Sequence, residues 1–402
     1  MPTNTSHKIG LATATIIGMN AMIGSGIFTA PAAVATHIGP AAILTYIFVG
    51  IAVWFMANSL ARLAKLFPEE GSFYTYAKQW GGHTVGMIAI SSYCIGLTFA
   101  MGLLTRVAAN YLVTVFPAFS ITTLGFMVLL SLIVLNIFGV GISKIGQHIL
   151  IVLTVFPLTI ITLMCFLKAN LSHLTPFAPY GLANILKSSS AVIFGFFGFE
   201  CAASLFNIVK DPEKNVPRAL TYAILFVGTL YTLFVTAIIL AVPLNTLIDP
   251  FTPLTEALQK VFPTHTWLIN VLLLSILSAI IGTIHSMLWS VSHLLLLIVD
   301  KIKNPTLHNL RTSGILNQRT AVLIVGLLMG VSFISLQNIS LFFNITAIGI
   351  VLAYILSMIT LLTMPSEWKS RHNIKTIIGF ATALLIFYFA GEGLITEIIK
   401  LS

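Results

Sequence analysis

Charge is what this sequence has least of. Asp, Glu, Lys and Arg make up 8% of 402 residues, against roughly 25% in a soluble globular chain. They are absent altogether from residues 9–61, 79–105, 107–143, 219–248, 261–299 and 320–366. A chain so poor in charge cannot clothe a water-facing surface, which excludes a soluble fold as the main architecture. Each charge-free stretch holds at least one membrane span of about 20 residues. Cysteine is scarce as well: Cys94, Cys165 and Cys201 all fall in apolar segments, so a secreted disulfide framework is excluded. No Ser/Gly linker, charge block or low-complexity tract sets a soluble module apart, and residues 1–402 read as a single transmembrane domain.

The few charges carry a sign. A formal net charge of +9 raises a nucleic-acid partner, but no basic residues cluster on a soluble face to make one, and none is expected. With the N-terminus cytoplasmic, about fifteen of the twenty Lys and Arg fall on the cytoplasmic side, among them Lys8, Arg62, Lys65, Lys78, Lys144, Lys210, Lys214, Arg218, Lys301, Lys303, Arg311, Arg319, Lys369, Arg371 and Lys375. Arg106, Lys168, Lys187, Lys260 and Lys400 fall outside or near the outer edge. That bias follows the positive-inside rule. Eight residues precede the first apolar run, which is longer than a signal-peptide core and is followed by further spans, so it reads as a retained anchor. Short tails and compact loops suit a bacterial cytoplasmic membrane.

Apolar runs read against turn and charge punctuation predict eleven spans: 9–36, 40–66, 83–113, 121–139, 146–168, 185–209, 217–242, 266–299, 319–337, 340–363 and 374–397. The largest insert, at 67–80, is predicted to form an interfacial helix with Phe73, Tyr76 and Trp80 on one face at headgroup level. Residues 9–168 and 185–363 form two blocks of five spans, and 374–397 adds one helix. Because five is odd, the second block enters the membrane upside down. The first span of each block carries a glycine-rich interruption, the pattern that points to a transporter's binding site.

In span one the interruption is Gly24, Ser25 and Gly26, flanked by Ile23 and Ile27; in span six it is Gly195, Phe196, Phe197 and Gly198, preceded by Phe194. Backbone groups freed in hydrocarbon need partners, at a cost of several kcal/mol if unmet. The half-helix from Ile27 onward points its positive end at the break, suiting a carboxylate; the first half of span six presents a carbonyl-rich end suiting an ammonium. Together they describe a zwitterion, and these ten residues are the candidate substrate-binding set. The alternative is that both glycine clusters serve close helix packing.

Glu200 is the sole acid read as buried in the body of a span; Glu392 and Glu397 lie toward the end of span eleven. Intramembrane acids are costly and commonly functional, so it is the candidate coupling or gating group, with a structural hydrogen bond as the alternative. No third ligand or HExxH pattern joins His285 and His293, and Arg106 reads as an interfacial side chain. No catalytic, metal or cofactor site is expected, and the chain is not read as an enzyme. Ser290 and Ser292 carry only a weak sodium-site signal.

The motifs GSGIF (24–28), EEGSFYTY (69–76), GFFGFE (195–200) and KDPEKNVPRAL (210–220) resemble, in order and at matching depth, those of the amino acid, polyamine and organocation transporter superfamily. The resemblance is nearest to bacterial amino acid permeases and basic amino acid or polyamine antiporters. It implies an all-α polytopic membrane protein of about eleven transmembrane helices, with a five-plus-five inverted-repeat (LeuT-like) core and broken helices one and six. It further implies alternating-access transport of an amino acid or amine, by proton coupling or exchange. In the antiporters the acid of span six works with an aromatic of span three, the position of Tyr93; Phe194 stands where they often place Trp. Span five lacks the Lys that some proton-coupled relatives carry. Most relatives have twelve spans, so pairing of protomers through the last two is in doubt and the oligomeric state stays open.

Overall fold

The computed structural model describes residues 8–24, 26–67, 72–138, 144–200, 209–246, 253–335, 338–364 and 373–401. Among these residues the regular structure is helical, and extended pairing is confined to an isolated parallel bridge between Ile9 and Val209. Span one is two helices, Leu11–Met22 and Gly26–Ile38. Spans two to five follow as Ala42–Leu66, Ser72–Val115, Ile121–Ile137 and Lys144–Leu167. Span six enters as two short helices, Ala183–Lys187 and Ser189–Phe194, and then turns through 195–200. Spans seven to eleven are Pro212–Ala241, Trp267–Lys301, Gln318–Ser335, Ile339–Thr363 and Asn373–Leu401. Short helices Pro253–Val261 and Pro305–Thr312 lie in the connections.

Local chemistry accounts for where these helices start. The Ser120 side chain caps span four by accepting from the Thr123 N–H at 3.1 Å, and Asn338 caps span ten through the Ser340 N–H at 2.8 Å, each satisfying an N-terminal amide left over by the helical pattern. Within the spans, hydroxyls bond back to the carbonyl one turn earlier, as Thr105 does to Met101 and Ser357 to Ala353. A polar side chain thereby crosses hydrocarbon without an unmet group. The chain is a multi-pass membrane protein by the length and apolar character of these helices.

The direction of travel alternates, and one contact fixes the two ends. The bridge from Ile9 to Val209, with Lys210 N–H donating to Ile9 O at 3.0 Å, sets the exit of span six beside the entry of span one. Span one leaves from this end and span six arrives at it, as an inverted five-plus-five core requires. Span eleven packs outside that core, against spans ten and two.

The 44 residues of Ser72–Val115 would run about 66 Å as one straight helix, twice the hydrocarbon thickness of about 30 Å. Gly82, at φ 70°, breaks it into the insert helix and span three proper. The insert is helical, but its aromatics do not share a headgroup face. Phe73 and Tyr76 turn into the core, and Trp80 alone of the three is exposed, its indole N–H donating to Leu356 O at 2.7 Å. Phe73 packs on Tyr93 and Tyr354, and Tyr76 on Phe73, so both rings gain more from burial than from an interfacial position.

Among the described residues, the helix Ser72–Val115, with span three in it, and span ten make the most extensive pairing. They meet at Gly96 and Gly349, where an added Cβ on Gly349 would sit 2.8 Å from Gly96 Cα and 2.7 Å from Ser92 O. Small residues let membrane helices approach to backbone contact. Gly349→Val is therefore expected to lower stability by about 1–3 kcal/mol through overpacking. Gly391→Ala, which meets nothing within 4 Å, should be neutral or stabilising by up to about 1 kcal/mol. Thermal unfolding in detergent reads both, and equal melting points would contradict the packing assigned here.

Candidate functional site

The two helix interruptions touch. Leu11–Met22 ends where Ile23 leaves helical geometry at ψ 87°, and helix resumes at Gly26. A Cβ on Gly26 would lie 2.6 Å from Gly195 Cα and 2.9 Å from Gly195 N, so nothing larger than hydrogen fits between the two backbones. Gly198 makes a second contact: its φ of 109° is a glycine conformation, and a Cβ there would land on the Ala21 carbonyl. Gly24 is roomier, with Leu104 and Thr283 at 3.4–3.6 Å from an added Cβ. Ser25 lies outside the described residues.

The freed backbone groups are partly claimed from within. Met22 O accepts from the Gly24 N–H at 2.9 Å and from the Tyr231 hydroxyl at 3.1 Å. At the end of span six's first half, Val192 O accepts from Gly195 N–H, and Ile193 O from the N–H groups of Phe196 and Phe197. The carbonyl-rich end read from the sequence is thus already engaged at two of its carbonyls, because the chain tightens into successive turns over 195–200 instead of stopping open.

Beside this crossing sits Glu200, buried at 6% exposure. The Tyr93 hydroxyl donates to Glu200 Oε1 at 2.7 Å, and the Gly198 N–H donates to Oε2 at 3.0 Å. The left-handed turn at Gly198 is what aims that N–H back at the carboxyl two residues on. Tyr354 of span ten turns toward the same group. Around it the rings close: Phe73 lies 4.4 Å from Tyr93 and 5.8 Å from Tyr354, and Phe199 lies 5.3 Å from Tyr354, centroid to centroid. A carboxyl held by phenols among aromatic faces can bind a cation or exchange a proton.

Comparison with known proteins bears on what such a site belongs to. The family model described as Amino acid permease matches residues 9–395. The chain belongs to the amino acid permease family. An uncharacterized transporter of Mycobacterium tuberculosis is 28% identical over 265 residues, covering 58% of this chain and 55% of that protein. A protein of Arabidopsis thaliana named Cationic amino acid transporter 3, mitochondrial, is 29% identical over 298 residues, covering 67% and 48%. The matches thus span about half the length of these two relatives. Among solved structures, the substrate-bound outward-open state of a Na+-coupled sialic acid symporter aligns with TM-score 0.60 at 13% identity, covering 96% of this chain and 90% of that one. At that identity the likeness is one of fold, the broken-helix, inverted-repeat core.

Of the residues singled out in the permease sequence, the structure gathers most but not all. Gly26, Gly195 and Gly198 line the crossing, Ile23 and Ile27 are buried along it, and Tyr93 meets Glu200. Phe194 faces Phe343 of span ten at 5.1 Å, and Phe197 faces Tyr354 at 6.3 Å. Phe196 points elsewhere, packed at 5.3 Å on Tyr231 of span seven. Arg106 turns to Phe333, its guanidinium 5.9 Å from that ring. His285 pairs with Asn136 at 3.0 Å and His293 stacks on Trp289 at 5.7 Å, so the two histidines serve different partners. Sequence reasoning missed Tyr354, a lone tyrosine in an unpunctuated apolar run. It misplaced Phe73, whose motif was visible but whose direction was not.

Two substitutions separate the roles of these groups. Gly198→Ala is expected to cost several times more stability than Gly24→Ala, since only the former meets backbone and an unfavourable φ. Tyr93→Phe removes one buried hydrogen bond and should cost about 1–3 kcal/mol. Melting curves of the three purified variants provide the check, and a Gly198→Ala curve matching that of Gly24→Ala would refute the assigned contact.

Proposed function

We propose that this permease is a secondary active transporter of amino acids that works by alternating access. One observation carries the proposal: two interrupted helices cross with backbone in contact at Gly26 and Gly195, beside the buried, hydrogen-bonded carboxyl of Glu200. In this reading the substrate binds at the crossing, lined by Ile23, Gly24, Ser25, Gly26 and Ile27 from span one and by Phe194, Gly195, Phe197 and Gly198 from span six. Phe196 is reassigned to packing. The 13-residue helix beginning at Gly26 directs its positive end and first N–H groups at the substrate carboxylate. With Val192 and Ile193 carbonyls already engaged, the ammonium is met by later carbonyls of the turn and by the field of Glu200.

Glu200 and Tyr93 form the coupling unit. Opening the site to one side changes the water around the carboxyl, and with it the balance between its charged and neutral forms. Movement of spans one and six against spans three and ten then becomes linked to proton uptake or to occupancy by a second substrate. Repeat one (about 9–168) and repeat two (about 185–363) each contribute one interrupted helix to the moving pair, with the helix at about 374–397 outside them. The N-terminus is placed on the cytoplasmic side of the cell membrane, where most Lys and Arg then fall. No cofactor enters the scheme.

A second reading, antiport of polyamines or other organic amines, is favoured by the aromatic enclosure of Glu200. Phe73, Tyr93 and Tyr354 around a carboxyl suit an ammonium that has no carboxylate beside it. The name of the Arabidopsis relative supports the amino acid class.

Reconstitution in proteoliposomes tests the proposal. Labelled amino acids should enter vesicles preloaded with unlabelled substrate if the protein exchanges, or under an imposed pH gradient if it is proton-coupled. Glu200→Gln should flatten the pH profile of uptake while the protein stays folded. An unchanged profile would remove Glu200 from coupling, and the absence of flux for every amino acid and amine would sink the transporter reading.

A further inference from the structure

The helix crossing offers a ligand few open sides. At Gly26 the backbone of span six stands in the way, 2.6 Å from where a Cβ would be, and at Gly198 the Ala21 carbonyl does the same. Those faces stay shut unless whole helices move. Gly195 looks onto the Tyr231 ring at 3.3 Å, and that side chain is held by its bond to Met22 O. Gly24 faces freer side chains: Leu104 of span three at 3.4 Å, and Thr283 of span eight at 3.5 Å through Oγ1. Side chains move aside by a change of rotamer, so the Gly24 face is the one that a ligand of the break can occupy.

Thr283 is 4% exposed, and its hydroxyl has no hydrogen-bond partner among the described residues. A buried polar group left unmet is costly, and other hydroxyls of span eight avoid that cost. Ser275 donates to Thr154 O at 2.7 Å, Ser278 pairs with the Thr154 hydroxyl at 3.0 Å, and Ser292 donates to Leu288 O at 2.6 Å. A cavity of about 10 Å³ lies behind the break, between Ile23, Thr154, Ser278 and Gly282, with room for one water at most. Thr283 does not line it; its hydroxyl turns to Gly24 instead. Thr45, Ser332 and Thr346 also carry buried hydroxyls without partners, but Thr283 is the one that lies against a glycine of the interruptions.

We infer that the Thr283 hydroxyl is a substrate ligand, donating to the carboxylate of an amino acid seated on the Gly24 face. The inference rests on the amino acid reading proposed above. The helix Gly26–Ile38 opens its first N–H groups just beyond Gly24, so a carboxylate beside Gly24 can turn one oxygen toward them and the other toward Thr283. A hydroxyl that is dry and unpaired in the empty protein breaks no internal bond on binding, and it gains a charge-assisted one. Span eight thereby joins span one in holding the carboxylate.

Equilibrium binding of labelled amino acids to the purified protein, with and without sodium, is measured alongside ligand-free melting curves for Thr283→Val, Thr283→Ser and Thr45→Val. Both valine variants should melt no lower than the native protein, since each sheds an unmet hydroxyl. Thr283→Val alone should weaken amino acid binding, about ten-fold or more, the effect of one charge-assisted hydrogen bond, and Thr283→Ser should restore it. Equal affinity in Thr283→Val and native protein would overturn the inference and leave the transport reading standing, whereas a native protein that binds no amino acid would overturn both. A loss confined to sodium-containing buffer would assign the hydroxyl to a cation. A Thr283→Val melting point several degrees below the native one would assign it to an internal bond, and either result overturns the inference. If Thr283→Val does not fold, Thr283→Ala takes its place with the same expected loss.

Discussion

The backbone contact of Gly26 with Gly195 is the constraint on which the rest of the molecule depends. Helix is the one regular structure that lets a single chain segment cross hydrocarbon with its polar groups met, and two of the spans give it up at the same place. A side chain at Gly26 would run into the Gly195 backbone at 2.6 Å and force the halves apart, whereas one at Gly195 would meet the Tyr231 ring at 3.3 Å and the Gly26 backbone only at 3.7 Å. Gly198 repeats the arrangement against Ala21, so the two interruptions are joined at two points. Tyr231 then reaches across from span seven to take the Met22 carbonyl. The crossing is held by these few polar bonds and by shape.

Placement of Glu200 follows from that crossing. The left-handed turn at Gly198 both clears Ala21 and returns an N–H to the carboxyl, so one residue links the geometry of the break to the chemistry beside it. Spans three and ten supply the remaining partners, and they do so because Gly96 and Gly349 let them close to backbone contact. Phe73 completes the enclosure from the insert helix. A carboxyl with a phenol hydrogen bond and ring neighbours has a protonation state that depends on water access, and water access is what alternating access changes. In the proposed function, recognition and coupling share parts.

Much of this was legible in the chain, for identifiable reasons. Charge-free runs marked the spans, since a charge in hydrocarbon is expensive. The breaks at 24–26 and 195–198 were visible because glycine clusters interrupt otherwise long apolar helices, and Glu200 because it is an acid in the middle of a span and not near its end. Direction was harder. The periodicity of Phe73, Tyr76 and Trp80 showed a helix but not which way it faced, because aromatic rings suit a core and an interface alike. Phe196 and Phe197 are neighbours in one turn and so point apart, to spans seven and ten, and which span each meets depends on how the turn sits in the bundle. Tyr354 left no signal at all, its role arising from the approach of span ten to span three. The engagement of the Val192 and Ile193 carbonyls likewise follows from turns that composition does not specify.

The account turns on recognition of a zwitterion at the crossing, with the carboxylate at the helix beginning at Gly26 and the ammonium toward span six and Glu200. Equilibrium binding of labelled amino acids to the purified protein, competed by the matching decarboxylated amines and by N-acetylated derivatives, tests this most directly. The account predicts that the intact amino acid competes and that removing either charged group abolishes competition. Amines that compete as well as their parent amino acids would contradict it.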